Sequence, residues 1–389
     1  MIHVLTGLDI LVAEQARRLR GRRVGLLAHP ASVDRHLRHA VPLFRQLLPD
    51  DLAVLFGPQH GLRGETQDNM IEWEGYRDPL TGLPVHSLYG EHRKPTVSML
   101  SDLDVLVVDL QDVGARYYTF VWTLLLCLEA CAEQGKQVLV LDRPNPIGGA
   151  VEGNILDLAY RSFVGLAPIP MRHGATMGEL ARWLRRWARL DVDLEVVAVQ
   201  GGACDQYHDQ TDLPWVLPSP NMPTVDTALV YPGACLLEGT SLSEGRGTTR
   251  PFELVGAPGL DPEALAAALT ARDLPGVRFR PVWFQPTFQK HAGELCGGVQ
   301  LHVVDRAIFR PVLTYVALLG EVRRQNPDLD LWRQPPYEYE QHKLPIDILA
   351  GGTDLREAVD AGTDPRSLLA GWRPAVDEFE QQMMELRRG

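Results

Sequence analysis

Apolar residues recur with two different rhythms along the first half of the chain. Leu11, Val12, Ala16 and Leu19 stand at helical spacing and predict a helix over 11–21. Residues 23–28 (RVGLLA) are apolar almost throughout and predict a strand, followed by the turn His29-Pro30-Ala31-Ser32. A second helix is expected through Leu43, Phe44, Leu47 and Leu48, with Pro42 in its first turn, where a missing N–H costs least. Further strands are expected at 52–56, 103–109 and 137–141, with a long apolar helix from Phe120 to Glu133 between the last two. Strands that are apolar at successive positions, rather than alternating, suit a sheet covered on both faces. Their alternation with helices predicts a parallel, doubly wound α/β sheet.

Each of these strands runs into a polar segment marked by Gly or Pro. They are His29-Pro30, Gly57-Pro58-Gln59-His60-Gly61, Asp109-Leu110-Gln111-Asp112 and Asp142-Arg143-Pro144-Asn145-Pro146. In an open parallel sheet the carboxyl ends of the strands face the ligand crevice, so these loops converge on one expected site. Beyond them the pattern predicts a helix over 177–190, a strand over 194–199, a helix over 261–271, strands over 277–284 and 298–304, and helices over 311–325 and about 375–387. This second half reads as a smaller α/β domain, giving expected domains of 1–228 and 229–389.

Composition narrows the function. At 389 residues the chain is long for one core, and its 45% apolar and 23% charged residues are ordinary for a folded protein. A net charge of −12 argues against a nucleic-acid partner, which demands a concentrated basic surface. The one basic run, Arg17, Arg18, Arg20, Arg22 and Arg23, reads as a solvated helix face. The five cysteines, Cys127, Cys131, Cys204, Cys235 and Cys296, sit mostly in apolar runs, as reduced buried thiols do. The beginning of the chain lacks a secretory pattern, and no apolar stretch is long enough for a membrane helix, so a cytoplasmic location is expected.

Candidate chemistry lies in the loops. Residues 57–65 hold three glycines with Gln59, His60, Arg63 and Glu65; Glu65 is an acid/base candidate and Arg63 a bidentate partner for a carboxylate. His60 reads equally as a proton carrier and as a structural, hydrogen-bonded ring. Asp109, Asp112, Arg116, Tyr117 and Tyr118 offer carboxylates for hydroxyls and aromatic faces for a sugar ring; one of the two aspartates is expected to brace the loop. Arg143, Asn145 and Glu152 follow the next strand, with Asp142 expected to be structural. Thr176 and Glu179 form a capping box, which leaves His173 for function. Asn221 sits in one long polar loop and Glu244 and Arg246 in another, 238–249. There is no Gly-x-Ser-x-Gly elbow, nucleotide fingerprint or His-Glu-x-x-His spacing. A dispersed metal site from His29, His60, Asp109 and His173 stays open as a competing reading, although nothing in the loops demands a metal or other cofactor.

The runs FGPQHGLRG, DVLVVDLQDVGARYYTF, VLDRPNPIGG, PIPMRHGATMGELA, SPNMPT, ALVYPG and EGTSLSEGRGTTRPFE occur in one order from about residue 24 onward, with KLPIDILAGG ending at 352. Together they resemble the bacterial exo-β-N-acetylmuramidase (NamZ-like) glycoside hydrolases, formerly a domain of unknown function. The resemblance implies a Rossmann-like catalytic domain followed by a smaller accessory domain. It also implies release of N-acetylmuramic acid from the non-reducing end of peptidoglycan fragments during cell-wall turnover or recycling. On that footing Glu65, with Asp112 or Glu244, is expected to supply the two carboxyl groups, with His60 and Tyr118 positioning the sugar. Arg63, Arg116, Arg143 or Arg246 would bind the lactyl carboxylate, and Gln59, Asn145, Glu152, His173 and Asn221 would complete the substrate contacts. The family commonly has Glu where this chain has Gln59, and an amide cannot take over proton transfer. The alternative expectation is therefore a sugar- or muropeptide-binding homologue without turnover.

Overall fold

The computed structural model describes residues 1–64, 66–68, 70–202 and 205–388. The strands of the N-terminal part are β1 (Val24–Ala28), β2 (Leu52–Gly57), β3 (Tyr76–Arg77), β4 (Pro84–Ser87), β5 (Val105–Asp109), β6 (Gln137–Leu141), β7 (Glu152–Ile155), β8 (Pro170–Arg172) and β9 (Leu194–Val197). Seven of them form one sheet in the order β3-β4-β2-β1-β5-β6-β9. All neighbours in it pair in parallel except β3, which runs antiparallel to β4 at the edge. Without β3 the order starts at the centre, goes out through β2 and β4, then returns to β5, β6 and β9. This is the doubly wound arrangement, with its topological switch between β1 and β5. Every residue of β1 and of β5 is buried, as their unbroken apolar runs require.

Helices α1 (Gly7–Ala13), α2 (Ala40–Leu47), α3 (Val97–Leu100), α4 (Phe120–Gln134) and α5 (Met177–Trp187) flank the sheet. The first begins and ends earlier than the apolar spacing predicts. Thr6 and Asp9 close a capping box at its start, and the chain then turns through a short 3-10 segment at Arg17–Leu19. Arg18 from the basic run pairs with Glu14 and Glu195, so part of that run is tied down rather than solvated. The expected capping box of Thr176 and Glu179 is present at α5.

The C-terminal part contains α6 (Val225–Ala234), a 3-10 turn at Cys235–Gly239, β10 (Leu254–Ala257), α7 (Pro262–Ala271), β11 (Val277–Phe284), β12 (Cys296–Val303), α8 (Pro311–Gln325), α9 (Pro345–Ala350), α10 (Asp354–Asp360) and α11 (Pro365–Arg388). Its three strands form an antiparallel sheet in the order β10-β12-β11. The architecture is thus a Rossmann-like α/β domain followed by a smaller α/β domain. The apolar pattern does not reveal α6, which carries Pro232 inside it, and starts α11 ten residues late, because Pro374 interrupts that helix too. Four described cysteines, Cys127, Cys131, Cys235 and Cys296, are free and buried, whereas Cys204 lies outside the described residues. Among the described residues no helix is long and apolar enough to cross a membrane.

One apolar core runs across both domains. It contains Phe56 and Val108 from the parallel sheet, Trp122 and Leu125 from α4, Val255 and Val299 from the second sheet, and Phe379 from α11. The opposite face of the parallel sheet packs separately on α1 and α2, through Leu8, Leu11 and Phe44. Two buried ionic groups pin the domains together within the shared core. Arg116 donates to the carbonyls of Asn154 and Ile169 at 3.0 Å, and to those of Leu349 and Ala350 at 2.9 and 3.0 Å. The last two lie in the final turn of α9, where a cation meets the negative end of the helix. Glu152 does the converse at α8, accepting from the Leu313 N–H at 3.0 Å in its first turn and pairing with Arg310. Burial lowers Arg116 to about 10, still well above neutrality, so the guanidinium is a buried cation whose two terminal nitrogens are met by carbonyls.

Arg116 is expected as a substrate ligand from sequence, but its fully buried side chain is turned into the domain junction. Replacing it with Ala strips charge-assisted bonds from four buried carbonyls. The Arg116→Ala variant is expected to lose on the order of 3 kcal/mol of unfolding free energy, read by urea denaturation. A change within the surface range of about 0.5 kcal/mol would contradict this role.

Candidate active site

A cleft lies where the carboxyl ends of β2 and β5 meet the second domain. Counting its open mouth it encloses about 450 Å³, and its walls include Gln59, His60, Tyr118, Asn221, Glu238, Arg246 and Glu338. The β2 end enters it through a tight turn. A Cβ on Gly57 would stand 2.7 Å from the Leu62 nitrogen and 2.8 Å from the Trp73 ring, so only glycine lets that ring cross the strand end. His60 and Gly61 follow at φ 70° and 87°. The strained His60 is over-determined by its ring, whose Nδ1 donates to the Thr66 carbonyl at 2.8 Å. Burial then pushes His60 down to about 4, leaving a neutral imidazole with Nε2 as an acceptor. The Thr119 hydroxyl donates to Gln59 Oε1 at 2.7 Å, which turns the Gln59 amide N–H groups to the remaining space. Asn221 grips the Gln67 backbone and side chain at 2.8 and 3.2 Å, holding the same loop from the other side. Tyr118 stands edge-on to Phe120 and Tyr231, and burial raises its hydroxyl well above the ordinary tyrosine value, so it stays protonated.

The second domain contributes the charge. Arg246 pairs with Glu238 and, at 3.2 Å, with Glu244. Lys290 reaches the far side of Glu244 at 2.9 Å and donates to the carbonyls of Leu237 and Leu242. Burial works to raise Glu244, but Lys290 and Arg246 outweigh it and hold the carboxyl below its ordinary value. Glu244 therefore backs Arg246 from behind the cleft wall and does not line the cleft. Within this cluster two cations face two carboxylates, so Arg246 is already compensated. Glu238 presents Oε2 to the Tyr337 hydroxyl at 2.8 Å. Beside it Glu338 is buried, with the Tyr89 hydroxyl at 3.4 Å; burial, reinforced by the Glu238 charge, pushes its carboxyl up to about 7.

Of the residues expected from sequence, Gln59, His60, Tyr118, Asn221 and Arg246 come together in this cleft. Glu65 lies outside the described residues. The others are engaged elsewhere. Asp112 accepts from the Gly114 N–H at 2.6 Å and from His173 Nε2 at 3.1 Å, and His173 in turn accepts from the Ala175 N–H at 3.2 Å. That buried pair joins the β5 loop to the approach to α5. Arg143 holds Asp109 with two bonds of 2.6 and 2.9 Å. Asn145 braces its own loop through the Ile147 N–H and the Ala175 carbonyl. Arg63 pairs with Asp78 at 2.7 Å, and Glu152 is committed to α8. Among the described residues no group of three or more His, Cys, Asp or Glu is arranged to hold a metal ion.

Sequence reasoning misses Glu238, Tyr337 and Glu338. Glu238 opens the polar run 238–249, eight residues ahead of Arg246, so its signal is present there. Glu338 follows Pro335-Pro336 in a short acidic and aromatic stretch with no turn residue to announce a hairpin.

Comparison with known proteins agrees with this arrangement along nearly the whole chain. Residues 24–226 match the family description "Exo-beta-N-acetylmuramidase NamZ, N-terminal", and residues 229–387 match its C-terminal counterpart. The chain is 43% identical over 379 residues to the peptidoglycan β-N-acetylmuramidase NamZ of Bacillus subtilis, covering 97% of this chain and 89% of that protein. Crystal structures of two DUF1343 family proteins from Bacteroides fragilis superpose closely. One has a TM-score of 0.88 at 35% identity, covering 99% of both chains; the other has 0.76 at 28%, covering 98% of both. The chain belongs to the exo-β-N-acetylmuramidase NamZ family.

Proposed function

We propose that the cleft hydrolyses the β-glycosidic bond of an N-acetylmuramic acid residue at the non-reducing end of a peptidoglycan-derived saccharide. The observation that carries this is the pair of carboxyl groups, Glu238 and Glu338, set in one small cleft opposite the sugar-suited surface of Gln59, Tyr118 and Asn221. Glycoside hydrolysis needs two such groups, held in different electrostatic settings. Here Glu238 lies against Arg246 and Tyr337, while Glu338 is kept in its acid form toward neutrality. The Gln59 amide is a fixed hydrogen-bond donor in this reading, suited to a carbonyl or hydroxyl of the sugar, and is outside the proton path. In this reading the two cleft carboxyls take the roles first expected of Asp112 and Glu244, while Glu65 lies outside the described residues. The substrate is a small saccharide, with neither nucleic acid nor membrane involved. The buried free thiols fit work in the reducing cytoplasm, on fragments of the wall undergoing recycling.

The direct measurement is turnover of a 4-nitrophenyl β-glycoside of N-acetylmuramic acid. Wild type is expected to release both the chromophore and the free sugar, with activity intact in chelator. Tight binding with no product by mass spectrometry would make the protein a binder instead. Two variants separate the carboxylates. Glu238→Gln is expected to lower kcat by about a hundredfold or more per folded molecule. Glu244→Gln leaves buried cations underbalanced, and is expected to cost roughly 3 kcal/mol of stability. If Glu244→Gln were as stable as wild type and catalytically dead, the assignment of the two residues would be reversed.

A further inference from the structure

We infer that Glu338 is the proton donor of this cleft, carried into it by a two-residue hairpin of the second domain that the first domain latches in place. The inference rests on the glycosidase reading above and names the residue that makes it work. Tyr337 and Glu340 exchange backbone hydrogen bonds of 3.0 and 2.9 Å, so Glu338 and Tyr339 are the two residues of the turn. Both stand at positive φ, 45° and 69°. A two-residue hairpin of this hand favours Asn-Gly, and a Glu-Tyr pair there is strained. Such strain persists only where the surroundings impose it, and the side chains on both sides of Glu338 do so. The Tyr337 hydroxyl is bound to Glu238 inside the cleft. The Tyr339 hydroxyl donates to Glu72 of the first domain at 2.8 Å, and the Arg93 guanidinium lies 3.9 Å from the centre of the Tyr339 ring. Arg93 also pairs with Glu72 at 3.2 Å, which closes the latch.

The charged and titratable groups around Glu338 are Glu238 from the 3-10 turn, Arg246 from the following loop, and Tyr89 and Arg93 from the first domain. Burial and the Glu238 charge favour the acid form, while Arg93, the Tyr89 hydroxyl and Arg246 oppose it, and the balance stays raised. In the reaction the Glu338 carboxyl gives its proton to the glycosidic oxygen as the bond from that oxygen to the anomeric carbon breaks, the electron pair staying with the leaving oxygen. Water then supplies a hydroxyl to the anomeric carbon. Its remaining proton goes to the carboxylate pair, which ends the cycle with the charge it began with.

The test compares one sugar on two leaving groups. N-acetylmuramic acid β-linked to N-acetylglucosamine needs its leaving oxygen protonated, whereas the 4-nitrophenyl glycoside leaves as a stable phenolate. Glu338→Gln is expected to lower kcat/KM about a hundredfold or more on the disaccharide and less than about tenfold on the nitrophenyl glycoside. With wild type, kcat/KM on the disaccharide is expected to fall as pH rises through about 7, and the nitrophenyl substrate should lack that limb. A structural role alone would slow both substrates alike, and that result on a folded variant overturns the inference while leaving the glycosidase reading intact. A wild type inactive on both substrates overturns the reading and the inference with it. Stability supplies a second measurement. With the folded carboxyl raised, its contribution is present below the ordinary carboxyl range and lost as pH rises through about 7. Relative to wild type, the urea midpoint of Glu338→Gln should therefore improve between pH 4 and pH 8; a difference that does not change with pH counts against a buried acid.

Discussion

A guanidinium that cannot reach water governs the arrangement of this molecule. Arg116 leaves the β5 loop of the first domain and is enclosed where the two domains meet, so its charge must be met entirely by protein. Four carbonyls meet it, and two belong to the end of α9 in the second domain. Glu152 repeats the logic with opposite sign at the start of α8. A cation on a helix C-terminus and an anion on a helix N-terminus use the same peptide dipoles from opposite ends. Displacing one domain from the other would strand both charges in an apolar core, a far larger penalty than losing a few surface contacts. The relative position of the domains is therefore set by buried charge, and the cleft between them inherits that rigidity.

Rigidity matters because the cleft separates two carboxyls by environment and not by type. Glu238 faces Arg246 and the Tyr337 hydroxyl, while Glu338 lies deep beside that same charge. The like charge of one raises the other, so each depends on the other's placement. Behind them Glu244 stands between Lys290 and Arg246, so that two cations meet two carboxylates in the cluster beside Glu338. The cluster is close to electrically neutral despite a chain of net charge −12, which suits an anionic sugar better than the whole-molecule charge suggests.

Much of the first domain is legible in the sequence because its signals are local. The unbroken apolar runs of β1 and β5 and the box at Thr176 and Glu179 need no knowledge of distant residues. Strand-end geometry likewise directs Gln59, His60 and Tyr118 to the crevice, because each follows closely on a strand whose end must open there. Arg116, Arg143 and Glu152 are misplaced by the same reasoning, since a charged side chain after a strand looks the same whether it faces a ligand or a helix end in another domain. Asp109 is 34 residues from Arg143, and Leu349 is 233 from Arg116, distances at which sequence carries no pairing signal. The hairpin at 337–340 is hidden for the opposite reason. Its turn residues break the local rule that would have revealed it, and such violations concentrate at working sites.

That violation ties the hairpin to the buried charges of the domain junction. His60, Glu338 and Tyr339 all occupy left-handed backbone without being glycine, and Glu338 is in addition a buried acid. Each feature disfavours the folded state by an amount on the order of 1–3 kcal/mol, comparable to what one good buried contact supplies. His60 and Glu338 both line the cleft and Tyr339 adjoins it, so three of the molecule's left-handed non-glycine residues gather at this one place. The offset comes from outside it, in the core shared by both domains and the helix-end charges that lock it. A domain junction held only by a wet, polar interface would relax the hairpin and let Glu338 swing to solvent, where it would titrate as an ordinary carboxylate. The buried Arg116 and the acid form of Glu338 are thus two ends of one constraint: the first keeps the domains from parting, and only unparted domains keep the second dry.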